Sequence, residues 1–496
     1  MNRNILSWVA AFLLIVLLAL PSSAWQGRMA GLGDAGGLIE DESDYLIHPA
    51  GIASDKGFNT YGSYRLTYDK TTRWDYSANA PTFGVTYPYS SDGYQWKHGA
   101  LIGSAFSLGA GRMGVFFDYA GARGKYKGDE PFSGFWGPGY NSYELNNRLD
   151  NFALKVLYGL PAKSVKVGGE LQIAYRSEEQ ETFLGTSAAF FRNFPWAAED
   201  NPAWNLYPFM IPYDSKYWEA QGKVSVAGTV GPAKYAVTLK GGLPFAADNT
   251  YSFDVDSVNS FKAQGKVKGF HVGGDFWLRV PVSERLALPF VISTGYKTIK
   301  RDGSYIRAAD SWLNYEHEAW DFFVKVGGGA DFTPAAGKRF AAGLYYDYLR
   351  TKHKAQFDDI FPAPEFYVDT YADMPDSGEH RLTLKALAEM AVCPRTTLRA
   401  GVNAFYGRIN TDFSYAAVDD TGPYMPLNVS ASGWTAGVNA ALGATVKMER
   451  FELEPFVNAG YTAFKTSGDG TVGPAPVDVE ISKAGWLVGG GLSVKF

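Results

Sequence analysis

The residues with the most reactive side chains are few and widely spaced in this sequence. The six histidines and the single cysteine, Cys393, show none of the short spacings that bind zinc or haem. No Gly-x-Ser-x-Gly segment marks a nucleophilic serine. The adjacent carboxylates Asp358 and Asp359 fall in an expected solvated loop. We therefore predict that the chain is not an enzyme and holds neither a metal nor a cofactor.

One stretch imitates a nucleotide-binding motif. Gly31, Gly33 and Gly36 have the spacing of a dinucleotide fingerprint, but that fingerprint requires a preceding strand and a following helix. Here it closely follows an expected cleavage site after Ala24. A net charge of −5 gives no basic surface for nucleic acid. The sequence therefore predicts neither nucleotide nor nucleic-acid binding.

Aromatic side chains are concentrated in residues 181–214, where an exposed loop would normally be polar. Two interpretations remain open: a capture site for a hydrophobic ligand, or a loop that packs on itself, on a neighbour or in the membrane surface. The candidate ligand-binding residues are Phe190, Phe191, Phe194, Trp196 and Trp204.

The elements that would position these residues are strands. In Ala484–Phe496, the residues Trp486, Val488, Leu492, Val494 and Phe496 share one face, and the other face is mostly polar or glycine. The segment resembles the closing strand of a bacterial outer-membrane β-barrel. In that class the terminal aromatic is part of the signal that the barrel-assembly machinery reads, so this machinery is an expected partner.

The N-terminus indicates export. Met1–Ala24 has a basic start at Arg3, an apolar stretch and a small-residue end, as in a signal peptide; the alternative is a signal anchor. With 33 Phe, 31 Tyr and 56 Gly, the composition suits aromatic girdles and tight turns of an outer-membrane protein in a Gram-negative type of cell. Outer-membrane lipid is then the expected surroundings.

Short turns rich in Gly, Pro or polar residues recur between alternating segments, and seven are found, at 109–111, 160–163, 231–233, 281–284, 333–337, 393–396 and 447–450. Two strands flank each turn, which gives fourteen; an opening and a closing strand raise the count to about sixteen, with fourteen as the fallback. The longer stretches between them, such as 69–97, 127–147 and 355–378, are expected to be loops. The fold class is therefore all-β: a transmembrane antiparallel barrel with strands of about 10 residues.

The parity of these strands assigns their faces. In 381–392 and 270–280, apolar residues occupy one parity and charged residues the other, and charges facing lipid cost about 2–4 kcal/mol at the midplane. The predicted lumen-lining residues are Asp275, Arg279, Arg381, Lys385 and Glu389. A barrel this wide is not filled by its own wall side chains, so we expect either a channel or a plugged lumen.

Residues 25–53 are Gly-rich, acidic and non-alternating. They contain a Gly/Ala-rich stretch, an acidic stretch at 40–44 and the motif His48-Pro49-Ala50-Gly51. In these features the chain resembles the FadL-type outer-membrane transporters of fatty acids and aromatic hydrocarbons, whose motif begins with Asn and whose N-terminus forms a hatch inside the barrel. The resemblance implies an N-terminal plug at 25–56, between the expected signal peptide at 1–24 and the expected barrel at 57–496.

Two functions follow. The plug motif and the aromatic loop favour a transporter of small hydrophobic compounds such as fatty acids or aromatic hydrocarbons. The charged lumen favours a general porin, or the barrel of a secretion or electron-transfer assembly.

Overall fold

Sixteen antiparallel strands form one closed barrel, in which each strand pairs with its neighbours in sequence and β1 pairs with β16. This computed structural model describes residues 27–30, 32, 37–54, 57–80, 85–134, 137–186, 213–254, 260–307, 311–360, 367–419, 422–472 and 474–496. The predicted fold class and the strand number of about sixteen are confirmed.

The strands are β1 (Asn59–Ala80), β2 (Val85–Leu108), β3 (Gly111–Gly134), β4 (Gly137–Ala162), β5 (Val165–Thr186), β6 (Tyr213–Val230), β7 (Ala233–Asp254), β8 (Ser260–Pro281), β9 (Leu286–Arg307), β10 (Ser311–Ala335), β11 (Lys338–Ile360), β12 (Tyr367–Cys393), β13 (Thr396–Asp419), β14 (Gly422–Lys447), β15 (Glu452–Val472) and β16 (Ala475–Lys495).

The seven short turns occur where the sequence predicts them, and all lie at one end of the barrel. The φ angles of Gly109 (60°) and Gly337 (75°) explain the glycines at two of these turns, because other residues adopt this left-handed region at a cost. We call this end the short-turn end and the opposite end the long-hairpin end. In barrels of this type the short turns are periplasmic.

The strands are much longer than predicted. They run from 18 residues in β6 to 27 in β12, whereas about 9–11 residues cross a membrane. Most of the expected loop 69–97 is the paired hairpin of β1 and β2, and Asp358 and Asp359 lie on β11 rather than in a loop. The prediction of short strands was wrong because a solvated hairpin and a loop share the same polar composition, while the hairpin pairs its backbone.

The outer surface of the barrel is apolar. On β12, Leu382 and Leu384 are about half exposed on the outside, while Thr383 and Lys385, which alternate with them, are buried on the inside. The same alternation places Val438 and Leu442 outside on β14. So much apolar surface on a closed barrel requires a lipid environment, so we treat the barrel as membrane-spanning.

Aromatic pairs on the outer surface mark two levels. Toward the long-hairpin end, the rings of Tyr68 and Trp96 lie 4.5 Å apart, and those of Tyr461 and Trp486 lie 4.7 Å apart. At the short-turn end, Phe451 lies 5.9 Å from Phe496. Aromatic side chains prefer the interfaces of a bilayer, so the two levels delimit the membrane-spanning band.

The N-terminal segment lies inside the barrel. It contains a short helix α1 (Gly27–Ala30) and the 3-10 helices Glu42–Leu46 and Pro49–Ser54. Leu32, Leu38, Ile39, Ala50 and Ile52 have no exposed surface. We call the described part of this segment, residues 27–30, 32 and 37–54, the plug.

Candidate functional site

The plug contacts opposite sides of the lumen through two apolar clusters. Tyr45 and Ile52 belong to a buried cluster with Tyr61, Leu101, Phe116 and Leu157 of β1 to β4. Another buried cluster joins Met29, Leu32, Leu38 and Ile39 to Ala341 of β11 and Leu387 of β12. Because β3 and β11 stand eight positions apart in a ring of sixteen strands, the plug crosses the lumen. Both clusters lie near the short-turn end.

Glycines in the wall let the plug backbone approach closely. A Cβ atom at Gly168 would lie 2.4 Å from the amide nitrogen of Ala50, and one at Gly401 would lie 2.1 Å from the carbonyl oxygen of Leu32. At Gly159 a Cβ would lie 2.7 Å from Ile52. Real side chains do not tolerate such distances to backbone atoms, so positions 168 and 401 fit the plug only as glycine, whereas the contact at Gly159 is with the side chain of Ile52.

Charged side chains hold α1 of the plug to the wall. Nε and Nη2 of Arg28 donate to the two carboxylate oxygens of Glu389 at 2.8 Å and 2.7 Å, a bidentate pair. Glu389 also accepts from Nε of Arg399 at 3.0 Å, and Arg399 lies 3.2 Å from Glu454. Burial lowers the pKa of Arg28, but the hydrogen bond and charge of Glu389 and the charges of Asp41 and Glu454 outweigh it and raise that pKa. The Arg28 guanidinium therefore stays charged while docked.

The acidic stretch of the plug meets basic groups of the plug and the wall. Glu40 accepts from Nζ of Lys234 at 2.9 Å, and Asp41 lies 3.2 Å from Nη1 of Arg28. Asp44 accepts from the amide of Asp41 at 2.9 Å, but burial and the negative charges of Asp41 and Glu40 raise its pKa to about 7. Docking thus favours a protonated Asp44 below neutral pH.

The motif His48-Pro49-Ala50-Gly51 lies against β6 and β7. Nδ1 of His48 lies 2.8 Å from Oγ1 of Thr238, and the amide of Ala50 donates to Oγ of Ser225 at 2.6 Å. Burial lowers the pKa of His48 to about 4, so the ring is neutral in the docked plug. A neutral imidazole therefore takes the place of the neutral Asn of the motif that it resembles.

We expect opposite pH responses from two plug variants. An undocked Asp44 would titrate near its ordinary value of about 4, so docking weakens as the pH rises from about 4 to about 7. An undocked His48 would titrate near about 6.5, so docking weakens as the pH falls from about 6.5 to about 4. In the native chain the two effects on docking offset each other between about pH 4 and pH 6.5.

Of these two effects, Asp44→Asn removes the aspartate one, so the plug should open more as the pH falls. His48→Asn removes the histidine one, so the plug should open more as the pH rises. Open probability in planar bilayers between pH 4 and pH 8 measures both. Parallel profiles for the two variants would contradict these pKa assignments.

The structure places the five predicted lumen residues on inward-facing positions of β8 and β12, each close to other side chains. Asp275 lies 2.8 Å from Nζ of Lys240, Arg279 lies 2.6 Å from Asp331, and Arg381 lies 2.6 Å from Glu379. Nζ of Lys385 lies 5.0 Å from the ring centre of Tyr345. Glu389 binds Arg28 and therefore belongs to the plug contact.

The sequence did not predict that inward-facing residues of β5, β6 and β8 associate in a second group. Glu219 lies 2.9 Å from Nε of Arg176 and 3.3 Å from Nδ1 of His271, and Gln221 lies 2.9 Å from Nε2 of His271. Strand parity places Arg176 and His271 inside from the sequence alone. Their association across three strands depends on register, which parity does not give.

The predicted ligand-binding residues Phe190, Phe191, Phe194, Trp196 and Trp204 lie outside the described residues, as does the predicted signal peptide at 1–24. β5 ends at Thr186 and β6 begins at Tyr213, so the aromatic segment connects these strands at the long-hairpin end. Within the described part of the chain, no group of three or more His, Cys, Asp or Glu is arranged to hold a metal ion. No helix among the described residues is long and apolar enough to cross a membrane.

A closed barrel with an apolar exterior, a charged inner wall and an N-terminal segment across its lumen is a plugged transmembrane β-barrel. Among solved structures, a FadL homologue of Pseudomonas aeruginosa is 11% identical, covers 97% of this chain and 99% of that chain, and has a TM-score of 0.40. The toluene transporter TodX of Pseudomonas putida is 9% identical, and the match covers 97% of this chain and 99% of that chain with a TM-score of 0.41.

The toluene transporter TbuX of Ralstonia pickettii is 10% identical, with 95% and 98% covered and a TM-score of 0.35. No protein-family model matches the chain, and no curated protein matches it. TM-scores below 0.5 assign no function, so function has to be argued from the residues of this chain.

Proposed function

We propose that this chain is an outer-membrane transporter for small hydrophobic compounds, such as fatty acids or aromatic hydrocarbons, and that its plug closes the barrel at rest. The observation that carries the proposal is the plug itself, which is bound to opposite walls of a sixteen-strand lumen. A general porin of this width works as an open aqueous channel. A plug held across the lumen instead suits passage that depends on a ligand.

The contacts of the plug support a reversible closure. Its apolar residues Leu32, Leu38, Ile39 and Ile52 each contribute roughly 1.5–3 kcal/mol by burial, offset by the entropy lost on ordering the segment. The remaining contacts are hydrogen bonds and ion pairs that water can replace, including the Arg28–Glu389 pair. Movement of the plug therefore requires no covalent change.

The inner wall is charged, which favours the general pore as a second candidate. However, many of the wall charges form close pairs, such as Lys155 with Asp118 at 2.6 Å and Lys240 with Asp275 at 2.8 Å. Paired charges present a weaker field to a passing solute than single ones. We therefore assign the selection of hydrophobic compounds to the mouth of the barrel. Movement of the plug would then open the barrel.

The aromatic segment between β5 and β6 is the proposed capture site. Replacing Phe190, Phe191 and Trp196 with Ser should slow uptake of a monoaromatic hydrocarbon or a fatty acid into proteoliposomes severalfold, because buried aromatic surface binds such ligands. Uptake of a small sugar by the same vesicles is the control and should not change. If both fluxes fall together, the segment only supports the fold. If neither falls, the general pore becomes the better proposal.

Two parts of the proposal concern assembly. Residues 1–24 would be removed as a signal peptide on export. The C-terminal strand would be read by the barrel-assembly machinery through Phe496, whose amide donates to the carbonyl oxygen of Thr60 at 2.9 Å where β16 closes on β1. Lipid of the outer membrane would surround the assembled barrel.

A further inference from the structure

A charged cluster lies on the lipid-facing side of the barrel, across β3 to β6. Its members are Tyr119, Arg123, Arg148, Asp150, Glu179 and Lys216. The outward faces of β3 and β4, which carry Tyr119, Arg123, Arg148 and Asp150, also carry the exposed apolar residues Phe117, Phe152 and Leu154. The cluster therefore does not face the lumen or the plug.

The cluster lies just beyond the aromatic level at the long-hairpin end. The rings of Tyr119 and Phe152 lie 4.7 Å apart, and those of Tyr175 and Trp218 lie 5.3 Å apart. Arg148 and Lys216 are four and two residues farther from the membrane than Phe152 and Trp218 on their strands. At about 3.3 Å per residue, this places the charges up to ~13 Å beyond the aromatic rings. Lipid headgroups occupy this depth.

The buried carboxylate of Asp150 contacts three members of the cluster. It accepts from the hydroxyl of Tyr119 at 2.7 Å and from Nε of Arg148 at 2.7 Å, and Nη2 of Arg123 lies 3.5 Å away. The side chain of Asp150 is only 7% exposed, whereas those of Arg123 and Arg148 are 44% and 50% exposed. The anion is buried and the two guanidinium groups face outward.

Cations outnumber anions in this cluster. Arg148 and Lys216 share Glu179, at 3.6 Å and 4.0 Å, so three cations contact two carboxylates. These described members of the cluster therefore carry a net positive charge.

Other outer-wall charges at this level differ. Lys465 and Glu480 form a one-to-one pair at 2.8 Å, with exposures of 46% and 50%. On the far side of the barrel, both oxygens of Asp376 accept from Arg350, at 3.0 Å and 2.9 Å, and Nζ of Lys352 lies 3.5 Å from the same carboxylate. That guanidinium is already occupied by a bidentate pair. In the cluster on β3 to β6, by contrast, Arg123 and Arg148 each contact Asp150 through a single nitrogen, so neither guanidinium forms a bidentate pair with it.

We propose that this outer-wall cluster binds the phosphate of an anionic lipid headgroup in the leaflet at the long-hairpin end. Guanidinium groups match phosphate oxygens in a bidentate geometry, and basic residues at the membrane surface attract anionic lipids. The Asp150 carboxylate fixes the two arginines before the lipid arrives. The site is independent of which compound the barrel transports.

Native mass spectrometry of the detergent-purified chain tests the proposal. The chain is titrated with a bisphosphorylated glycolipid and, separately, with zwitterionic phosphatidylethanolamine. We expect the native chain to bind the phosphorylated lipid more tightly, and Arg123→Gln with Arg148→Gln to weaken that binding roughly tenfold, because two headgroup contacts are lost. Binding of phosphatidylethanolamine should not change.

Lys465→Gln is the control for each single variant, Arg123→Gln or Arg148→Gln, because each removes one cation near this depth, and it should leave the lipid preference intact. Heat-modifiable migration verifies that each variant is folded, and the single arginine variants replace the double variant if it does not fold. Three outcomes would each overturn the proposal: no preference in the native chain, an unchanged preference in the arginine variants, or an equal loss in Lys465→Gln.

Discussion

Deletion of Trp25–Ala53 should raise the single-channel conductance of the purified barrel severalfold. The plug reaches from the cluster around Phe116 to the cluster around Leu387, so its removal opens a lumen that sixteen strands make wide enough for water. Planar bilayer recordings of the native and deleted chains measure the effect at one salt concentration and voltage.

The barrel itself should survive this deletion, since β1 begins at Asn59 and pairs along its length with both β2 and β16. Heat-modifiable migration on gels reports whether the barrel is folded. A folded, deleted chain whose conductance equals that of the native chain would show that the plug does not close the pore.

The sequence predicted those parts of the fold that depend on local patterns. Gly109 and Gly337 occupy turns because glycine readily adopts positive φ angles. Such turns can be predicted from the local sequence alone. The alternation around Leu382 and Lys385 assigns two faces because period two is a property of any strand. Turn positions, strand number and the separation of apolar from charged faces follow from such patterns.

The contacts of the plug could not be predicted in this way. Arg28 and Glu389 are 361 residues apart in sequence, and the same wall glutamate also binds Arg399. Gly168 and Gly401 look like ordinary wall glycines until the plug backbone is placed beside them. These are pairings between distant segments, and neither residue type nor spacing specifies which segments meet.

A polar inner wall and a hydrophobic cargo are compatible when the wall charges neutralise each other. Glu219 interacts with both Arg176 and His271, and Asp331 lies 2.6 Å from Arg279 and 2.5 Å from Arg339. Such pairs leave the lumen polar without giving it a strong single sign of charge. The plug contributes to this balance, because Glu40 lies next to Lys234 and Asp41 next to Arg28.

Gly168→Ala should displace the plug while leaving the barrel folded. The new Cβ would lie 2.4 Å from the amide nitrogen of Ala50 and 2.5 Å from the carbonyl carbon of Pro49, and these are backbone atoms that cannot rotate away. The hydrogen bond from Ala50 to Ser225 would be lost as the motif moves. We expect a conductance approaching that of the deleted chain.

Gly169→Ala is the matched control. It lies one residue further along the same strand, and a Cβ there meets only the carbonyl oxygen of Lys223 at 3.5 Å, an ordinary contact. Both substitutions remove the same backbone freedom from β5 and add the same methyl group, so a difference between them reports the plug contact alone. If both variants keep the native conductance, Ala50 does not dock at Gly168. If both raise it equally, the change lies in the wall of the barrel and not in the plug.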